Sequence, residues 1–210
     1  MQEVIWPECV YNFLKLIKSS PLEKKILDCG AGGMYPPLAF FRQKGYETYG
    51  IDISENAIDA ANAFAERNRF KLNIQRGDMR QISFEAESFS FVYTQNSLCH
   101  LTKKDTAIVI EEIKRVLCKG GYCLVDFMSV ESSFCNEKEM GKLVGDHEYQ
   151  MSGREEDWFH SFFCDSEPDK YFSNMTIIRV DKIIIEHRAA DPAYTDVRLY
   201  YYVQKPFFSS

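Results

Sequence analysis

The chain has 210 residues, 45% of them hydrophobic and 14% aromatic, which suits one domain with a sizeable core. Its net charge of −6 and lack of a dense Lys/Arg cluster argue against a nucleic-acid-binding surface. The seven cysteines show no CxxC or Cys/His metal spacing, so buried reduced thiols in a cytoplasmic compartment are expected and no metal site is. Lys24-Lys25 and Lys103-Lys104 read as solvated ends of elements. Met1-Gln2-Glu3 does not begin a signal peptide, and no apolar run reaches the length of a membrane span.

Val10, Phe13, Leu14, Leu16 and Ile17 put an apolar stripe on a helix over 4–18, with Pro7 in its first turn. Residues 24–29 are a short buried strand running into Gly30-Ala31-Gly32-Gly33. A helix over Leu38–Lys44 follows and stops at Gly45. A second strand, Tyr46–Ile51, ends at Asp52, and Ser54 caps a helix to about Asn68. Lys71–Arg76 and Phe89–Thr94 are the third and fourth strands. Thr102 and Asp105 start a helix to Cys118, with Glu111 and Arg115 as an i,i+4 pair on its wet side. Tyr122–Met128 is the fifth strand.

This βα alternation predicts a doubly wound, mostly parallel sheet. Residues 129–157 break the rhythm and read as an insertion, partly loop; Trp158–Phe163 reads as an extra strand and Asp165–Phe172 as a short helix. Ile177–His187 and Val197–Gln204 form a long antiparallel hairpin.

The glycine loop shows that a ligand approaches the main chain, since residues without a Cβ allow close contact. A dinucleotide fingerprint would place a third glycine where Tyr35 stands. Asp28, two residues before Gly30, would repel a pyrophosphate at that mouth and suits a cationic ligand.

Leu27-Asp28-Cys29-Gly30-Ala31-Gly32-Gly33 resembles the first motif of the class I S-adenosylmethionine-dependent methyltransferases. Gly50-Ile51-Asp52-Ile53-Ser54, Gly77-Asp78-Met79, Phe89–Val92 through Ser97–Leu101, and Ile113–Leu117 through Tyr122 resemble the later motifs in order. The resemblance is close over 10–130 and looser over the last stretch. It implies a seven-stranded sheet whose last strand is antiparallel, and S-adenosylmethionine as cofactor. Asp52 would then bind the ribose hydroxyls, and Asp78 the adenine amino group with the Met79 backbone on the ring. Asp28, Gly30, Ala31, Gly32, Ile53, Thr94 and Asn96 complete the expected cofactor contacts. Met34, where the family has a further glycine, is expected to narrow the methionine end, and Ser90 replaces an acidic residue at the fourth strand.

His100 is a candidate general base, with a structural role at a helix entry as the alternative. His160 would share a strand face with Trp158 and Phe162, and His147 would be solvated. Tyr11, Tyr35, Tyr149 and Trp158 are candidates for a substrate pocket, under a lid made of residues 1–20 and 129–172. The implied reaction is SN2 methyl transfer to an O or N of a small molecule, by a single-domain monomer or homodimer without nucleic-acid or membrane partners. A protein side chain as acceptor, a non-catalytic S-adenosylmethionine-binding subunit and a nicotinamide-dependent oxidoreductase are the alternatives.

Overall fold

The computed structural model describes residues 4–133, 135, 141–151, 158–190 and 193–207. Five parallel strands lead: β1 (Lys25–Cys29), β2 (Glu47–Asp52), β3 (Ile74–Arg76), β4 (Phe89–Tyr93) and β5 (Leu117–Ser129). The hairpin of β9 (Thr176–His187) and β10 (Tyr194–Gln204) joins them, with β10 antiparallel to β5. The order β3-β2-β1-β4-β5-β10-β9 is the anticipated seven-stranded sheet with its last strand antiparallel.

Side chains alternate along each strand, so one sheet serves two cores. Ile26, Phe91 and Leu124 face α1 (Glu8–Ile17), α2 (Leu38–Gln43) and α3 (Glu55–Arg67), through Val10, Phe13, Phe41 and Phe64. Leu27, Val92 and Val125 face α4 (Lys103–Val116), through Val109, Ile110 and Ile113. Both faces are therefore covered, and β4 is buried at every position, as parallel strands between helical layers require.

The insertion differs from a plain loop. β6 (Lys142–Gly145) and β7 (Glu148–Met151) form a hairpin that pairs with β8 (Trp158–Phe163). β8 then pairs with the end of β5 at Met128 and Ser129, so three strands fork away from the main sheet. The short helix expected over Asp165–Phe172 is a 3-10 helix, Glu167–Phe172.

Other boundaries shift for local reasons. Asn73 has φ +56°, which breaks the predicted third strand and leaves only Ile74–Arg76. α1 starts at Glu8, one residue after Pro7. Strand β5 begins at Leu117, immediately after α4. The Glu111–Arg115 pair does not form: Arg115 binds Glu112 and the carbonyls of Ile82 and Phe84, while Glu111 pairs with Lys114. Lys103 is not a solvated end; its ammonium is largely covered and sits 2.9 Å from Glu167.

The α4 cap is as expected, with the Thr102 hydroxyl accepting from the Asp105 N–H at 3.0 Å. Thr102→Ala should destabilise the protein by about 1 kcal/mol. Urea unfolding with an unchanged denaturant slope would read this loss.

Candidate active site

Strand order reverses between β1 and β4, because β2 and β3 extend the sheet one way and β5 the other. Open α/β sheets bind ligands at the carboxyl ends of strands beside such a reversal. A cavity of about 800 Å³ opens there, lined by residues that follow β1, β2, β3 and β4. That volume suits a small-molecule site.

The glycine loop forms one wall. Gly30 has φ +103°, and a Cβ on it would lie 2.0 Å from the Ser97 hydroxyl. A side chain at Gly32 would lie 2.6 Å from an Asp52 carboxylate oxygen. Close approach thus requires both glycines, and at Gly30 the backbone conformation requires one as well.

Asp52 organises this wall. One of its oxygens accepts from the Gly32 N–H at 2.8 Å and the other from the Ser54 N–H at 2.9 Å. Each oxygen keeps a second lone pair for a ligand hydroxyl.

Asp28 lies beneath the loop, buried, and accepts a 2.6 Å hydrogen bond from the Tyr93 hydroxyl of β4. Burial pushes its carboxyl up to about 7; the Tyr93 bond opposes the rise and the nearby Asp52 charge adds to it.

Asp78 meets a partner that the motif does not announce. Arg80 grips both its oxygens, Nη2 donating to Oδ2 at 2.6 Å and Nε to Oδ1 at 3.1 Å, and holds its carboxyl below the usual range. Arg80 also lies 3.6 Å from Asp105 at the start of α4, and both line the cavity.

Of the expected cofactor contacts, Asp28, Gly30, Gly32, Asp52, Ile53, Asp78, Met79 and Asn96 line this one cavity. Ala31 and Thr94 do not: both are fully buried, with Ala31 packed under Gly50 and the Thr94 N–H bonded to Leu124. Met34 is 70% exposed and lies off the cavity, so it does not narrow it.

The far wall is largely apolar and aromatic. Ile5, Trp6 and Tyr35 line one side, and His100, Trp158 and Phe159 the other. His100 stands 5.2 Å from the His160 ring and 5.7 Å from Trp158, centroid to centroid. His160 shares its strand face with Trp158 and Phe162, as the alternation predicts. Tyr11 packs on Phe40 and Tyr149 on Phe162, so neither reaches the cavity. Arg80 and Phe159 are cavity residues that lie outside the motifs.

The family model described as a methyltransferase domain matches residues 27–125. That match takes in the glycine loop and the later motif stretches, which resemble those of the class I S-adenosylmethionine-dependent methyltransferases. Among relatives, a sterol 24-C-methyltransferase of Debaryomyces hansenii is 31% identical over 139 residues, covering 62% of this chain and 36% of that protein. The uncharacterized methyltransferase YcgJ of Bacillus subtilis is 28% identical over 117 residues, covering 55% of this chain and 45% of that protein. The chain thus spans less than half the length of these curated relatives. Among solved structures, an S-adenosylmethionine-dependent methyltransferase of Methanosarcina mazei aligns with TM-score 0.73 at 20% identity, covering 98% of this chain and 100% of the other. TehB of Haemophilus influenzae aligns with TM-score 0.71 at 17% identity, covering 97% of this chain and 63% of the other. These two likenesses establish the fold.

No helix among the described residues is long and apolar enough to cross a membrane. No group of His, Cys, Asp and Glu suited to a metal ion occurs among the described residues.

Proposed function

We propose that the chain is an S-adenosylmethionine-dependent methyltransferase that methylates an oxygen or nitrogen of a small molecule. The observation that carries this reading is the convergence of Asp28, Asp52 and Asp78, from the ends of three adjacent strands, on one glycine-walled cavity. Three carboxylates disfavour a pyrophosphate and suit a ligand with hydroxyls, an amine and positive charge.

Bound there, S-adenosylmethionine would supply a sulfonium methyl group for in-line displacement by an acceptor lone pair. The chain's own contribution is mostly alignment, which can supply roughly 7–11 kcal/mol of a barrier. Asp52 would hold the ribose, Asp78 and the Met79 backbone the adenine, and Gly30 and Gly32 the methionine end. Trp6, Tyr35, Trp158 and Phe159 would enclose the acceptor and exclude water, with residues 1–20 and 129–172 as the lid, of which 1–3, 134, 136–140 and 152–157 lie outside the described residues. His100, exposed to the cavity, would take the acceptor's proton where one must leave. The free cysteines, several of them buried, suit a reducing compartment, and we read the protein as cytoplasmic, a monomer or homodimer.

Calorimetric titration tests the first half: S-adenosylhomocysteine should bind and NADH should not. Binding of NADH alone would overturn the reading. Incubation with methyl-labelled cofactor and fractionated cell extract tests the second. Label in the small-molecule fraction is expected. Label in protein would move the acceptor to a side chain, and binding without transfer to any fraction would leave a non-catalytic subunit.

A further inference from the structure

The turn after β4 is held in an uncommon way. Asn96 has φ +58°, a conformation that non-glycine residues rarely hold unaided. Its N–H donates to both carboxylate oxygens of Asp126 on β5, at 3.0 and 3.2 Å. Gln95, Asn96 and Ser97 all line the cavity, and Ser97 is the residue pressed against Gly30. The turn is therefore a wall of the site, and Asp126 stands behind it.

Asp126 is only 1% exposed and is not among the residues lining the cavity. Arg198 of β10 pairs with it at 3.0 Å, and the Arg198 Nε bonds Asp196 at 3.1 Å. Cys99 and Tyr200 also face this group. A buried ion pair contributes little to stability compared with apolar side chains of equal volume. What it adds here is direction, a charged acceptor aimed at one backbone N–H of a strained turn.

We propose that Asp126, braced by Arg198, is a positioning residue for methyl transfer, which fixes the Gln95–Asn96–Ser97 turn against the glycine loop. It acts through Asn96 and touches neither reactant. The inference rests on the reading that this turn faces the bound cofactor.

The test compares Asp126→Asn, whose amide oxygen still accepts from Asn96, with Asp126→Leu, which cannot. Val203→Ala, in the same β5–β10 ladder and remote from the cavity, serves as a stability control. Asp126→Leu should weaken S-adenosylhomocysteine binding roughly ten- to a hundredfold, the loss of a hydrogen bond to a charged group. Asp126→Asn and Val203→Ala should stay within about threefold of the unaltered protein, whatever their melting temperatures. Affinities that simply follow melting temperature across the three variants, or an Asp126→Leu protein that binds normally, would overturn the proposal.

Amide hydrogen exchange at Asn96 reads the same contact without depending on the folding of Asp126→Leu. Protection is expected in the ligand-free protein and in Asp126→Asn; exchange at an open-loop rate would sink the idea. Should the unaltered protein bind no S-adenosylhomocysteine, the cofactor reading fails, and Asn96 protection still reports whether Asp126 holds the turn.

Discussion

Asp52→Ala is expected to weaken S-adenosylhomocysteine binding by roughly a hundredfold or more. The side chain does two jobs at once. Its oxygens accept the Gly32 and Ser54 N–H groups, which set the glycine wall and the entry to α3. Their remaining lone pairs are the proposed acceptors for two ribose hydroxyls. Hydrogen bonds to a charged group are worth about 1.5–3 kcal/mol each. Losing two therefore exceeds about two decades of affinity, before any loosening of the loop is counted. Asp52→Asn does not rescue, because its amide nitrogen would face one of the two backbone donors. Calorimetry on both variants checks this. Binding within about threefold of the unaltered protein would place the ribose elsewhere.

The same carboxylate shows why so much of the site was readable in advance. Motif residues at the ends of β1, β2 and β3 are fixed by local chemistry: an apolar strand, then an acid or a glycine, then a helix start. Such signals lie within a few residues of one another. The parallel, doubly wound arrangement of β1 to β5 followed because strand–helix alternation leaves few topologies.

What was missed depends on distant partners. Leu143 and Val144 of β6 are 55% and 46% exposed, so the hairpin carries no alternating burial signal. Its turn, Asp146-His147, has φ +54° at His147 rather than at a glycine. Arg115 pairs with Glu112 rather than Glu111, in a position from which it also reaches the Ile82 and Phe84 carbonyls, more than 30 residues away. The Asp126–Arg198 pair spans 72 residues and exists only once the β5–β10 register is set. Ala31 and Thr94 stood in motif stretches, yet both are fully buried just past the ends of β1 and β4.

Asp28 gives the second large effect, a dependence on pH. Its folded carboxyl lies near 7, from burial first, with Asp52 adding and the Tyr93 hydroxyl opposing. The folded protein therefore keeps a proton that the unfolded chain releases near the ordinary carboxylate value. Stability from this group is full below that ordinary value and is lost as pH rises toward about 7. The melting temperature of the ligand-free protein should fall across that window, and Asp28→Asn should remove this contribution.

Ligand binding should run in the opposite sense. S-adenosylhomocysteine carries an ammonium group, and a cation in this cavity favours the ionised carboxylate. Binding then expels the proton, so affinity should rise about tenfold between about pH 6 and about pH 8. Asp28→Asn, which can still accept the Tyr93 hydroxyl bond, should flatten the profile. Titration of both proteins across that range, with proton release read from buffers of different ionisation enthalpy, measures the effect. A flat profile in the unaltered protein would mean that Asp28 does not feel the ligand's charge, and would remove the electrostatic reason for an acid beside the glycine loop.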